Sequence, residues 1–217
     1  MKTKQTDLLL GCGIISSLFY VAMNVIVPMQ WPGYDAASQV VSELSAVGAP
    51  TRSLWVTLGV VWSVLLATFG IGVWLRAEGD RSLRVAAGAL IVSSIVGLYW
   101  PPMHLRGAPR TLTDTLHIVW TAATLLLMLV TITFGSAAFG KRFRHFSLGI
   151  VATFTVFGLL TFHDAQALTA NLPTPWIGIW ERINIGAYML WVIVFATALL
   201  REFSTESQDF FMKIRAT

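Results

Sequence analysis

Six stretches of this chain, at about residues 7–29, 53–75, 82–100, 114–138, 144–163 and 177–200, are continuously apolar over the length of a bilayer crossing. A hydrocarbon core about 30 Å thick needs roughly 20 helical residues at 1.5 Å each. Backbone in lipid must also satisfy its own hydrogen bonds, which leaves helices and closed barrels as the only spanning structures. Barrel strands would alternate apolar and polar residues over about ten positions, and these runs do not. The expectation is an all-α membrane protein, a six-transmembrane-helix bundle. With 55% hydrophobic and 12% charged residues, the 217-residue chain does not have the make-up of an ordinary soluble domain. No linker or break in composition divides it, so residues 1–217 are read as one domain. Lys2 and Lys4 before the first run resemble the start of a secretory signal, but the run extends from Leu8 to Met29 without a small-residue cleavage site and is read as retained.

The net charge of +4 would suit nucleic acid if it were gathered into a patch. Instead the basic residues sit in short clusters between apolar runs, so no nucleic-acid partner is expected and membrane lipids are. Lys2, Lys4, Arg76, Arg81, Arg84, Lys141, Arg142, Arg144, Arg201, Lys213 and Arg215 fall on one side, eleven against four for Arg52, Arg106, Arg110 and Arg182. Cytoplasmic loops carry the basic excess. That predicts a multi-pass protein of the cell inner (plasma) membrane with both termini cytoplasmic and loops one, three and five facing outward. The single Cys12 lies inside the first run, which excludes an intramolecular disulfide and a cysteine-based zinc site. Gly48-Ala49-Pro50-Thr51-Arg52 is faintly echoed by Gly107-Ala108-Pro109-Arg110-Thr111, a weak sign of duplicated helix pairs.

The longest polar interval, Gln30 to Pro50, reads as a short interfacial helix in the first outer loop. Asp35 can cap its start, Gly48 follow its end, and Pro50 forbids continuation. At 100° per residue Ala36, Val40, Leu44 and Val47 share one face and Ser38, Ser42 and Ser45 the other, with Glu43 at the border. This helix is expected to fold over the outer mouth of the bundle and bring Glu43 against the imidazoles of the fourth and fifth helices.

Ionisable groups within spanning helices are costly unless they face protein or water, so each is a functional candidate. The fourth run opens Thr113-Asp114-Thr115-Leu116-His117, placing Asp114 and His117 on one face, with Thr121 and Thr124 continuing it. Thr113 or Asp114 can equally serve as a helix cap. The fifth run ends Thr161-Phe162-His163-Asp164, which puts His163 at a depth like that of His117. A histidine at a helix C-terminus also has a plain role opposite the helix dipole. In the sixth run Glu181, Asn184, Tyr188 and Trp191 share a face, and Arg182 can snorkel or pair with a loop carboxylate. Arg106 and Arg110 in the third outer loop invite an anionic partner, a headgroup, a phosphate or Glu43 itself. Ser16, Ser17, Tyr20 and Asn24 form a milder stripe suited to hydrogen bonds between helices.

Pro32-Gly33-Tyr34-Asp35, then Val41-Ser42-Glu43-Leu44-Ser45 and Gly48-Ala49-Pro50, resemble the signature after the first helix of an uncharacterised prokaryotic membrane family, domain of unknown function 998. His117 and the run Gly178-Ile179-Trp180-Glu181-Arg182 leading to Trp191 continue the likeness over nearly the whole chain. The resemblance implies six helices and no established activity. Pro101-Pro102-Met103-His104 departs from the acidic residue that the family often places after the proline here, which argues against a metal in this loop.

Two carboxylate types, imidazole and a serine suggest general acid and base steps, or a divalent metal, acting on a lipid or lipid-linked substrate. The candidate catalytic residues are Ser42, Glu43, Asp114, His117, His163 and Glu181, with Asp164 beside them; the candidate substrate-binding residues are Tyr34, Asp35, Arg106, Arg110, Arg182 and Asn184. No His-x-x-x-His or Gly-x-Ser-x-Gly is present. The metal ligands and the cofactor are therefore left unassigned, and a bis-histidine haem on His117 and His163 ranks lowest. The alternatives are a non-catalytic structural or partner-binding protein with ion-paired outer loops, and a small-solute or proton transporter, for which a homo-oligomer would supply the missing half.

Overall fold

The computed structural model describes residues 2–170 and 172–215, with side chains described at 4–168, 170 and 172–201. Each apolar run folds as one helix: α1 (Lys2–Ile26), α2 (Arg52–Arg76), α3 (Arg81–Leu98), α4 (Leu112–Ala137), α5 (Lys141–Thr169) and α6 (Ile177–Arg215). All six carry a stretch long and apolar enough to cross a membrane, and no strand is found among the described residues. The last turns of α6 continue beyond the apolar run; the tail side chains, read from sequence as amphipathic or disordered, lie outside the described residues.

The connectors on the side of the termini are tight. Asp80 caps α3 by accepting from the backbone N–H groups of Ser82 (2.7 Å) and Leu83 (3.0 Å). On the opposite side, here the cap side, the connectors are long, and they carry the polar residues. The helices form a ring in which α2 packs on α1 and α3, α3 on α4, and α6 on α1 and α5, while the α4–α5 seam is loosely packed. One face of α6 fills the centre: Tyr188, Trp191, Phe195 and Leu199 are buried against Leu10, Phe69, Leu90, Ile132 and Phe154 of the other five helices. The Trp191 indole N–H, which has no water to turn to, donates to the Ser147 hydroxyl on α5 (2.8 Å). In the α1 stripe Ser16 and Ser17 instead donate to the Gly13 carbonyl (3.0 and 2.9 Å) of their own helix.

The first cap-side connector corrects the sequence reading. No continuous helix runs from Asp35 to Val47. A turn at Ala36–Ser38 is followed by a short 3-10 helix, Val41–Ser45. Asp35 caps only the turn, accepting from the Ala37 N–H (3.0 Å) and the Ser38 hydroxyl (2.6 Å). Gly48 does end the segment with φ +89°, a left-handed conformation that favours glycine. Val41 and Leu44 are buried with Val27 against Trp31, Tyr34, Trp55, Leu58 and Ile185, and this small apolar cluster seats the connector on the bundle. Ala36 and Val47, expected on the buried face, are exposed.

Candidate functional site

An irregular segment packed against a helix bundle must find partners for its carbonyls outside itself. In this chain three arginines and the starts of α2 and α6 supply them. Arg182 donates from one nitrogen to the carbonyls of Ala36 (2.8 Å), Gln39 (3.0 Å) and Gly178 (3.0 Å), and from another to the Tyr34 hydroxyl (2.7 Å). Tyr34 passes its own proton to the Val40 carbonyl (2.9 Å). Arg106 donates to the Ser38 carbonyl and to Thr174 Oγ1 (2.8 Å), and Thr174 donates in turn to Ser38 O (3.2 Å). Gly178 N–H donates to Ala37 O (2.9 Å). Thr51 and Arg52, opening α2, donate to the carbonyls of Leu44 (2.8 Å) and Ser45 (3.1 Å). The approach is close enough that a Cβ on residue 178 would collide with the carbonyl oxygens of Ala36 and Gln39.

The carboxylates complete this clasp. Glu43, only 1% exposed, accepts on Oε1 from Arg106 Nε (3.0 Å) and Nη2 (2.9 Å), and on Oε2 from Gln39 Nε2 (2.6 Å). Glu181 accepts from the Val41 N–H. A buried charge persists only when paired and hydrogen-bonded, and Glu43 is both. The third connector is tied in by the Val47 N–H donating to Met103 O (2.8 Å), a one-bridge parallel pairing with His104.

Asp114 and His117 serve the start of α4. Thr111 and Asp114 form a reciprocal capping box in which Asp114 Oδ2 accepts from the Thr111 N–H (2.8 Å). Thr111, rather than Thr113 or Asp114, is thus the cap. Asp114 also accepts from the His104 N–H (2.7 Å) and faces His104 Nδ1 (2.9 Å). His117 is buried, with Nδ1 2.7 Å from the Pro101 carbonyl. A carbonyl only accepts, so that nitrogen carries the proton. Nε2, 3.4 Å from the Trp100 indole N–H, is then the acceptor for the tryptophan. Trp120 donates to Tyr99 O (3.0 Å), so the chain leaving α3 is fastened to α4 at two carbonyls.

The connector's two displaced titrations follow from this geometry. Burial pushes the Tyr34 phenol up to about 12, although the Arg182 guanidinium pulls the other way. The Ser38 hydroxyl and the Ala37 N–H hold the exposed Asp35 carboxyl below its ordinary value.

The structure gathers Tyr34, Glu43, Arg106, Glu181 and Arg182 around one connector, with Asp35 at its edge. It does not bring Glu43 to the imidazoles, because Arg106 and Gln39 occupy both carboxylate oxygens. Nor does it bring the histidines together: the His163 side chain is 85% exposed, and its Nδ1 faces its neighbour Asp164 (3.2 Å). Ser42 lies beside Glu181 rather than beside a histidine, and Arg110 is exposed. Asn184 is buried between α6 and α5; with its amide oxygen and nitrogen exchanged to suit the surrounding groups, it gives to Thr153 O (3.3 Å) and takes from Gly158 N (3.0 Å). Among the described residues no three His, Cys, Asp or Glu side chains gather as a metal-binding group. Sequence reasoning passed over Gln39, His104, Thr174 and Gly178. Gln39 could have been found, four residues before Glu43; nothing local marks Thr174 between its two prolines.

Residues 14–198 match the family described as "Protein of unknown function (DUF998)", and since that is most of the chain, the protein belongs to this family. No curated protein and no solved structure matches the chain.

Proposed function

We propose that this member of the DUF998 family is a non-catalytic, partner-binding membrane protein whose cap-side polar residues work as a clasp, presenting the first connector as a preformed platform. One observation carries the reading: each acid and the imidazole that acid–base chemistry would need is already engaged by the fold. Glu43 is taken by Arg106 and Gln39, Glu181 by Val41, Asp114 by Thr111 and His104, and His117 by Pro101. A general base must instead reach a substrate proton, and a hydrolytic serine needs its base beside it. The basic bias of eleven residues to four supports placing the termini in the cytoplasm of a cell whose inner membrane holds the protein, with the platform outside.

Hydrogen exchange tests the clasp. The amides of Val41, Val47 and Gly178 should open only with global unfolding, and His117→Ala should change stability without touching any turnover. Hydrolysis of phospholipid or lipid-linked esters by the purified chain, abolished by Ser42→Ala or His117→Ala, would refute the reading in favour of a hydrolase.

A second reading has its own support. Asn24 Oδ1, Trp62 Nε1, Ser63 Oγ and Ser93 Oγ are buried polar atoms without a partner on α1, α2 and α3. Trp62 packs on Tyr20, one turn from Asn24 (ring centroids 4.8 Å apart), and Ser63 faces Gly97, one turn from Ser93. Orphan polar atoms in the interior call for water or a small polar solute, which suits a solute or proton pathway closed by the clasp. Liposome-reconstituted protein that leaks neither protons nor small polyols, with Arg182→Met in place to open the clasp, would dismiss it.

A further inference from the structure

The loosely packed α4–α5 seam holds a groove of about 330 Å³ at its terminal-side end. Its walls are Ile132 and Ala137 of α4 and Leu148 and Val151 of α5, and Arg144 stands at its rim with Ser136. Leu148, in the wall, is 64% exposed, so the groove opens toward the surrounding lipid. Arg144 is not loose. Its Nε donates to Phe139 O (3.0 Å) and its Nη2 to Ala137 O (2.8 Å), the last carbonyls of the α4 end. That grip fixes the guanidinium through Nε and Nη2, and among the described residues Nη1 makes no hydrogen bond. Lys141 and Arg142 precede it in the first turn of α5, where the helix dipole is positive and, with the Phe143 and Arg144 N–H groups given to Gly140 O (3.1 and 3.3 Å), the N–H groups of Lys141 and Arg142 have no helical acceptor.

We propose that this groove is a binding site for one anionic phospholipid, with the phosphate on Arg144 and the first turn of α5 and an acyl chain laid along Ile132, Leu148 and Val151. Charge complementarity selects the ligand. A cation fixed at the end of an apolar slot matches an amphiphile whose anion lies a glycerol unit away from its hydrocarbon. A guanidinium binds phosphate through directed N–H bonds as well as charge. Basic pockets between helices at a membrane face are a recurrent form of such sites. The volume is at the small end for ligand pockets, roughly 300–1,000 Å³, which suits a single chain and not a whole bilayer lipid. The site is remote from the cap-side clasp and stands whether or not the platform reading holds.

Native mass spectrometry on the full chain, in mild detergent titrated with phosphatidylglycerol or phosphatidylcholine, tests it. One phosphatidylglycerol should be retained per chain in preference to phosphatidylcholine. Arg144→Gln should weaken retention by about tenfold, the loss of one charge-assisted contact, and Arg144→Lys by less. Arg81→Gln, in the other terminal-side connector, should not matter. Because Arg144→Gln also frees two helix-end carbonyls, Leu148→Trp serves as the second variant. It fills the slot while leaving Arg144 in place, and should lower retention with an unchanged melting temperature. Equal retention of the two lipids, no loss in Leu148→Trp, or a dimer that Leu148→Trp breaks would each overturn the proposal, the last by making the groove a contact between copies.

Discussion

Removing either side of the Glu43–Arg106 pair should not cost the same, because the two partners are buried unequally. Glu43 is 1% exposed, whereas the Arg106 side chain is 30% exposed. In Arg106→Met the carboxylate keeps only the Gln39 amide, and its charge stays where water cannot reach it; stranding one member of a buried pair costs about 3–5 kcal/mol. In Glu43→Gln the guanidinium still holds Thr174 and Ser38 O and can turn to water. Solvent screening then limits the loss to about 1–2 kcal/mol. For a chain of this length each kcal/mol moves the melting temperature by about 2–4 °C. Arg106→Met should therefore melt about 10 °C lower and Glu43→Gln about 4 °C lower in the same detergent. Glu43→Gln with Arg106→Met removes both charges and should recover about 2 kcal/mol relative to the sum of the single losses. Thermal melting followed by circular dichroism, together with proteolysis of the 35–47 connector, reads both quantities. Equal single effects, or a double variant that is simply additive, would show that the pair is a solvated surface contact and that the connector is held by something else.

Gly178→Ala should destabilise by about 1–3 kcal/mol, as overpacking against backbone does, whereas Gly149→Ala, with open space around it, should be neutral or slightly stabilising; melting temperatures of the pair decide the sign. Tyr34 has its phenol raised by burial, so its contribution to stability is fully present below the unfolded value near pH 10 and is lost as pH rises through about 12. Alkaline denaturation of the wild type should therefore show an extra loss in that window that Tyr34→Phe lacks. A fluorescent protein fused after Thr217 should fluoresce in bacterial cells and alkaline phosphatase at the same point should be inactive; the opposite pair of results would invert the orientation.

The helices were legible because continuous apolarity over a bilayer length admits one answer, and each run became a helix, although α1 starts five residues before its run and α5 and α6 continue six and fifteen residues past theirs. The cap-side connector was not, for a definite reason. Val40, Leu44 and Val47 fall at helical spacing, and a helix ending at Val47 would have satisfied the carbonyls of residues 36–43 internally. Instead Arg106, Arg182, Gly178, Thr51 and Arg52, none within six residues of the carbonyl it serves, supply the donors. Local propensity describes what a segment does alone, and here the competing partners are distant in sequence. The pairing of Glu43 with Arg106 was one of three options left open for the loop arginines, and burial decides among them. The histidines misled because matched depth says nothing of rotation about the helix axis: His117 turns into the bundle toward Pro101 and His163 turns out of it.

The same accounting explains why so polar a cluster can exist at the edge of a bundle this apolar. Each unsatisfied carbonyl sealed from water costs a few kcal/mol, so a connector folded onto α6 and away from solvent must import donors in proportion to its length. Arginine is the economical choice, since one planar group offers five N–H bonds; Arg182 alone reaches three carbonyls and a phenol. Importing that cation beside the membrane then demands an anion. Glu43 answers Arg106 directly, and Glu181, next to Arg182 in sequence, takes the one connector N–H that points back at α6. Backbone solvation is thus a sufficient reason for a serine, two acids and two basic groups to converge, and such convergence is the pattern that sequence reading equates with catalysis. What separates the two cases is whether a group is left to reach a substrate: at this cap the acids already have donors, while among the described residues the unpartnered buried polar atoms lie on α1, α2, α3, α4 and α6.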